Sequence, residues 1–206
     1  VIIVSPCESD SIVPVIEKAR AKGIPVIIVD RKANTSEYTA FLGADNLEVG
    51  RLAGKHIASK SNGSANVIEI NADLNTSPGL ERSLGFKQIL KQYPGIKVVT
   101  VDSDNFGHPK GNYIKLLDSL PNIDYIYGFN DIIAYNAWKV AKSKGLEKKI
   151  KFIGVDGLNG PFGGIQLVKD GTLESTILYP TGGSEAIKLA LKILNNEIVP
   201  KNNKLN

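Results

Sequence analysis

Short β-branched apolar runs alternate with amphipathic stretches over nearly the whole chain, the pattern that a parallel sheet covered by helices requires. The runs predict strands at residues 1–4, 24–29, 40–42, 66–70, 97–101, 125–127, 151–155 and 174–178. Several are hydrophobic at successive positions, as in the stretches that open at Ile24 and Lys151, which marks strands buried on both faces. Between them, apolar recurrence at three- and four-residue spacing predicts helices near residues 10–22, 47–60, 80–92, 110–119, 131–144 and 183–195. In the last of these Ala186, Ala190, Ile193 and Leu194 share one stripe, while Lys188 and Lys192 face away. Gly23, Gly145 and Gly171 stand where a helix or helical turn should stop, as left-handed caps before the next strand. No repeat or low-complexity tract interrupts the alternation.

A chain of 206 residues with 42% hydrophobic content can bury one large core or two small ones. Its formal charge of +4 comes from 25 basic and 21 acidic residues scattered along the chain, which is ordinary surface chemistry and not a nucleic-acid footprint. Apolar runs long enough to span a bilayer are missing, so no membrane contact is expected from this segment either. The single cysteine, Cys7, excludes an internal disulfide and a cysteine-based metal cluster and leaves the compartment open. The sequence opens in a β-rich run at Val1, with no initiator Met, basic leader or cleavage site, and is expected to be an excerpt whose targeting signal lies outside it.

Ligands of open α/β sheets bind outside the carboxyl ends of the strands, so the residues just after each run carry the functional information. There Asp30 and Arg31 follow the second run, and Phe106 comes after the run ending at Val101. Asn130 and Asp131 follow Tyr127 through Phe129, Asp156 follows Val155, and Tyr179 follows Leu178. Carboxylates, an amide and a guanidinium can bridge pairs of sugar hydroxyls, while aromatic rings cover the apolar C–H face. Each residue also has a plainer reading. Asp131 suits a helix N-cap, Asp156-Gly157 a turn, Phe106 and Tyr179 core or rim aromatics, and Asp30-Arg31 a local ion pair. Their coincidence at one sheet edge favours a binding site.

Enzyme chemistry lacks its inventory. No glycine-rich phosphate loop or dinucleotide fingerprint occurs, and Gly182-Gly183-Ser184-Glu185-Ala186 misses the nucleophile-elbow pattern at its last glycine. The two histidines, His56 and His108, sit in no metal-binding spacing, so neither a metal nor a cofactor is expected, and the segment is expected not to be an enzyme.

The stretch from Gly23 to Arg31 resembles the corresponding part of ribose-type periplasmic binding proteins, and further motifs follow in order. They are Gly43-Ala44-Asp45-Asn46 with Gly50 and Gly54, Glu81-Arg82 with Gly85-Phe86, Phe106 with Lys110-Gly111, Asn130-Asp131, and Gly154-Val155-Asp156-Gly157. The resemblance implies an α/β type I periplasmic binding protein fold of two Rossmann-like lobes with parallel sheets joined by a hinge, here N-terminally truncated. Residues 1–45 and 181–206 would form an incomplete first lobe and residues 46–180 the second, with a sugar in the cleft and a hinge near Ala44-Asp45 and Tyr179-Pro180. By matched position Asp30 and Arg31 reach the ligand from the first lobe and Phe106, Asn130 and Asp156 from the second, while Tyr179 takes a hinge position where ribose binders carry an amide. One departure is that the family's clamping arginine falls at Leu80, two residues before Arg82.

Leu178-Tyr179-Pro180-Thr181-Gly182-Gly183 looks like the periplasmic sensor domains of hybrid two-component histidine kinases. That resemblance implies a periplasmic sugar-sensing domain whose parent chain carries a kinase; an ABC importer receptor or the effector domain of a lac-repressor-like regulator are the alternatives. A small-molecule sugar is the expected partner, and a homodimer is allowed. An excerpt that opens within the first lobe is expected to self-associate along the edge at residues 1–4.

Overall fold

The computed structural model describes residues 1–72, 76–104, 107–109, 112–120 and 122–205. They form two compact units, one of Val1–Asp45, Asn75–Pro78 and Pro180–Asn206, the other of Asn46–Leu74 and Gly79–Tyr179.

In the first unit β1 (Ile2–Val4), β2 (Val26–Val29), β3 (Ala40–Gly43) and β9 (Asn202–Lys204) form a parallel sheet in the order β1-β2-β3-β9. All four residues of β2 are buried, and their alternation divides the core. Val26 and Ile28 pack with Ile16 and Ala19 of helix α1 (Val13–Ala21). Ile27 and Val29 pack with Ala186, Leu189 and Ala190 of helix α7 (Gly183–Leu194). A continuous apolar run thus becomes a strand covered on both sides. Helix α1 begins at Val13, later than the hydrophobic spacing suggests, with Pro14 in its first turn, where a missing N–H costs nothing.

In the second unit β4 (Ser64–Asn71), β5 (Gly95–Asp102), β6 (Tyr125–Gly128), β7 (Lys151–Asp156) and β8 (Ser175–Leu178) form a parallel sheet in the order β5-β4-β6-β7-β8. The helices are α2 (Asn46–Lys60), α3 (Ser77–Leu90, of which Ser77 and Pro78 belong to the first unit), α4 (Asn112–Ser119), α5 (Asp131–Ser143) and α6 (Gly164–Lys169). One continuous core runs through the unit, with the Phe86 and Tyr127 rings 4.7 Å apart and Tyr127 and Phe129 5.4 Å apart.

Two described elements carry no clear sequence signal. Strand β9 is Asn-Asn-Lys, with no apolar alternation, and is held by tertiary bonds: Lys201 O accepts from Phe41 N at 2.7 Å and Leu205 N donates to Gly43 O at 3.0 Å. Helix α6 is six residues long, opens on Gly163-Gly164 and buries little beyond Leu167. Both are too short for a period to show.

Candidate ligand site

The strand order of the second unit reverses at β4, with β5 on one side and β6 on the other, and such a reversal opens a crevice at the carboxyl ends. Three expected residues stand on this edge. Asn130 follows β6, Asp156 is the last residue of β7, and Tyr179 directly follows β8. Asp156 and Tyr179 are adjacent, the Tyr179 N–H donating to the Asp156 carbonyl at 3.1 Å. Phe106 lies outside the described residues.

Asp156 has φ of 113°, a region that L-residues avoid and that accumulates at functional sites. A buried carboxylate beside it holds this turn in place. Asp131 Oδ2 accepts from Gly157 N at 2.8 Å, and Oδ1 accepts from Thr176 Oγ1 of β8 at 2.6 Å. A Cβ at Gly154 or Gly164 would collide with the same carboxylate, so these two glycines make room for it. Burial pushes the Asp131 carboxyl above its ordinary value, while the hydrogen bonds from Thr176 and Gly157 and the charge of Arg82 pull the other way.

This arrangement corrects the capping expectation. The N-cap of α5 is Asn130, whose side chain accepts from Ile133 N at 2.8 Å, and Asp131 is an interior residue only 4% exposed. Asp and Asn both favour caps, and a helix start one residue earlier exchanges their roles.

Beneath Asp156 and Tyr179 lies a group that the motif reading did not place in the site. Arg82, on the buried stripe of α3 with Gly79, Ser83, Phe86 and Leu90, donates from Nε to Asn46 Oδ1 at 2.9 Å and from Nη1 to the Phe129 carbonyl. Its Nη1 is 4.0 Å from Asp156 Oδ1, and its Cζ lies 4.8 Å from the centroid of the Tyr179 ring. Asn46 Nδ2 donates to Tyr179 Oη at 3.2 Å. A charged residue on an otherwise apolar stripe was the available signal, since a buried guanidinium demands partners. Leu80, where the resemblance was expected to put the clamping arginine, is 55% exposed.

In the first unit, Asp30 and Arg31 follow β2. Asp30 has φ of 67° and its N–H donates to Leu42 O of β3 at 2.8 Å, so the backbone itself presents the carboxylate. Arg31 Nη1 donates to Cys7 O at 3.4 Å. Among the described residues no group of three or more His, Cys, Asp and Glu side chains could hold a metal ion.

The periplasmic binding protein domain family matches residues 1–198. The ribose import binding protein of Salmonella typhimurium is 30% identical over 203 residues, covering 97% of this chain and 67% of that protein. Its Bacillus subtilis counterpart is 31% identical over 204 residues, covering 97% and 65%. Among solved structures, the fructose-binding periplasmic domain of a hybrid two-component system superposes with a TM-score of 0.93 at 38% identity, over 99% of this chain and 69% of that one. A solute-binding protein from Actinobacillus succinogenes with bound D-allose gives 0.87 at 27% identity, over 99% and 75%. This chain, with its two parallel α/β units, is a member of the periplasmic binding protein domain family of type I fold.

Proposed function

We propose that the chain binds a monosaccharide without turnover, outside the cytoplasm, as the sensor domain of a hybrid two-component signalling protein. Asp30 and Arg31 on the first unit and Asn130, Asp156 and Tyr179 on the second are the candidate contacts, with Phe106 as a candidate stacking ring. The observation that carries the reading is the pair of positive-φ aspartates, each at the carboxyl end of a buried parallel strand. A carboxylate held in a strained conformation is an acceptor fixed before the ligand arrives, and it takes up hydroxyl pairs with little reorganisation. The similarity to a fructose-binding sensor domain supports fructose as the first sugar to try.

Calorimetric titration of the natural full-length polypeptide with D-fructose, D-ribose, D-allose and D-arabinose tests this. Saturable heat with at least one sugar, and a matching rise in melting temperature, is expected. No response to any of them overturns the monosaccharide assignment.

A second reading is the soluble receptor of an importer, favoured by the ribose import relatives. Fractionation separates the two readings: a sensor stays with the membrane, and an importer receptor is released with the periplasmic contents.

A further inference from the structure

The chain leaves β7 at Asp156 and runs through Gly157-Leu158-Asn159-Gly160-Pro161-Phe162-Gly163 into α6. This loop is folded back on itself: Gly163 N donates to Gly160 O at 3.0 Å, and Ile165 N donates to Leu158 O at 3.4 Å. Glycine is required at both bends. Gly160 has φ of 115°, and a Cβ at Gly163 would strike the Leu158 carbonyl. A loop so closed could tuck its apolar residues inward, yet Phe162 is 73% exposed and Leu158 49%. Ile132, in the first turn of α5, is 58% exposed. The three line one pocket together with Asp156, Asn159 and the buried Asp131. Neither Asn130 nor Tyr179 lines it, so the pocket adjoins the candidate contacts of the second unit and shares Asp156 with them.

The Phe162 ring is braced from behind. Its centroid is 6.2 Å from that of Tyr135, which stacks on Trp138 at 5.9 Å with 13° between the planes. The ring is thus placed before any partner arrives, which lowers the ordering that binding costs. Its surroundings are chemically mixed. A protein surface laid over Ile132, Leu158 and Phe162 would bury the Asp156 carboxylate against apolar groups, whereas a sugar ring offers hydroxyls to that carboxylate and its C–H face to the phenyl ring. We propose that this pocket is a subsite of the second unit for a second ring, so that the ligand is a disaccharide or glycoside: one sugar meets Asp156 beside the other candidate contacts, and the second ring lies on Phe162. This rests on the sugar-receptor reading above and narrows its substrate class. Asp156 can serve both rings, because a carboxylate accepts at two oxygens. Asp131 serves as the floor of the pocket, with its two oxygens bonded to Gly157 and Thr176.

Calorimetry on the full chain, comparing wild type, Phe162→Ala and Phe162→Tyr, tests this. The ligands are D-fructose and the glucosyl-fructose isomers trehalulose, sucrose, turanose, maltulose, leucrose and isomaltulose, which place glucose on each fructose hydroxyl in turn. At least one isomer should bind wild type about tenfold more tightly than D-fructose does, the scale of burying one apolar ring face. Phe162→Ala should remove most of that gain and lower D-fructose affinity by about twofold or less, while Phe162→Tyr, which keeps the ring, should retain the gain. The melting temperature of Phe162→Ala should stay near wild type, because so exposed a ring adds little to stability. If D-fructose, D-ribose, D-allose or D-arabinose binds and no isomer improves on it, the subsite is overturned and the monosaccharide reading stands. A gain that survives Phe162→Ala also overturns the subsite, since the second ring then lies elsewhere. Should Phe162→Ala leave every affinity unchanged and alter the sedimentation of the chain instead, this face meets a second copy and the proposal falls. Wild type that takes up none of these sugars overturns the sugar reading itself.

Discussion

The two units place a carboxylate at a strand end by different means. In the first, Asp30 is set by the backbone: a left-handed residue whose N–H is tied to β3, beside an arginine bonded to a loop carbonyl. In the second, Asp156 stands within side chains from α2, α3, α5 and the end of β8, with Asp131 pinning the turn beyond it and Arg82 beneath it. The cores differ in the same sense. The first unit has two small clusters on opposite faces of β2, the second a single continuous one. A residue fixed by its own backbone keeps its place when a neighbouring side chain is lost, whereas a buried polar network such as that of Asp131, Arg82 and Asn46 is disturbed when any member leaves.

Matched core truncations give the largest effect and test the comparison first. Ile27 and Ile126 are both fully buried, and changing either to Ala should cost about 2–5 kcal/mol through lost burial and the cavity left behind. The smaller core has less to lose, so Ile27→Ala should lower the calorimetric melting temperature further than Ile126→Ala. Equal shifts would mean that the two cores are not energetically distinct.

Next comes Asp131→Asn. The amide can still accept from Thr176 but turns an N–H, not an acceptor, toward Gly157 N or forfeits the Thr176 bond, and about 1–3 kcal/mol should be lost. Burial holds the Asp131 carboxyl above the ordinary 3.8, so the folded chain binds its proton more tightly than the unfolded chain does. The stability linked to that proton is therefore complete below 3.8 and disappears as pH rises through the raised value. In denaturant titrations the gap between wild type and Asp131→Asn should be widest at the acid end and narrow with rising pH. A gap that widens with pH would contradict the direction of the shift.

The strands of the central sheets were legible because burial on both faces leaves unbroken apolar runs, as at Val26–Val29 and Lys151–Asp156, and their carboxyl ends then indicate where Asp30 and Asp156 stand. What escaped depends on contacts distant in sequence. Strand β9 exists because β3 offers it an edge, not because Asn202, Asn203 and Lys204 favour extension. Arg82 meets Asn46 only because two glycines let their helices approach, and nothing within α3 itself names that partner. The exchange of roles between Asn130 and Asp131 turned on where a helix begins, to within one residue.

Glycine substitutions sharpen the comparison at smaller scale. Asp30→Gly and Asp156→Gly remove the carboxylate and also relieve the positive φ, which costs on the order of 1–3 kcal/mol at such positions. Part of that relief is offset by the greater freedom of glycine in the unfolded chain, so a backbone gain of about 1 kcal/mol or less is expected, against which the loss of each carboxylate's own contacts counts. Both variants should bind sugar more weakly, and the backbone relief should be larger at Asp156, because φ of 113° lies farther from the left-handed minimum than 67°. If Asp156→Gly melts lower than wild type, its carboxylate contributes more through Arg82 than the backbone loses to strain.

The smallest effect separates the two duties of Asn130. Its Oδ1 caps α5 by accepting from Ile133 N, and its amide nitrogen has no hydrogen bond among the described residues, which leaves that donor for a ligand hydroxyl. Serine keeps a cap acceptor and loses the amide donor, whereas alanine loses both. Asn130→Ser should thus hold stability to within about 0.5 kcal/mol of wild type, and Asn130→Ala should cost about 1 kcal/mol. Sugar affinity should fall by about tenfold in both, since the missing amide, not the cap, is what the ligand would meet. Thermal melting read beside calorimetric affinity resolves the pair. If Asn130→Ser binds sugar as wild type does while Asn130→Ala loses stability alone, Asn130 is a cap and no more, and the ligand edge of the second unit reduces to Asp156 and Tyr179 on their buried arginine.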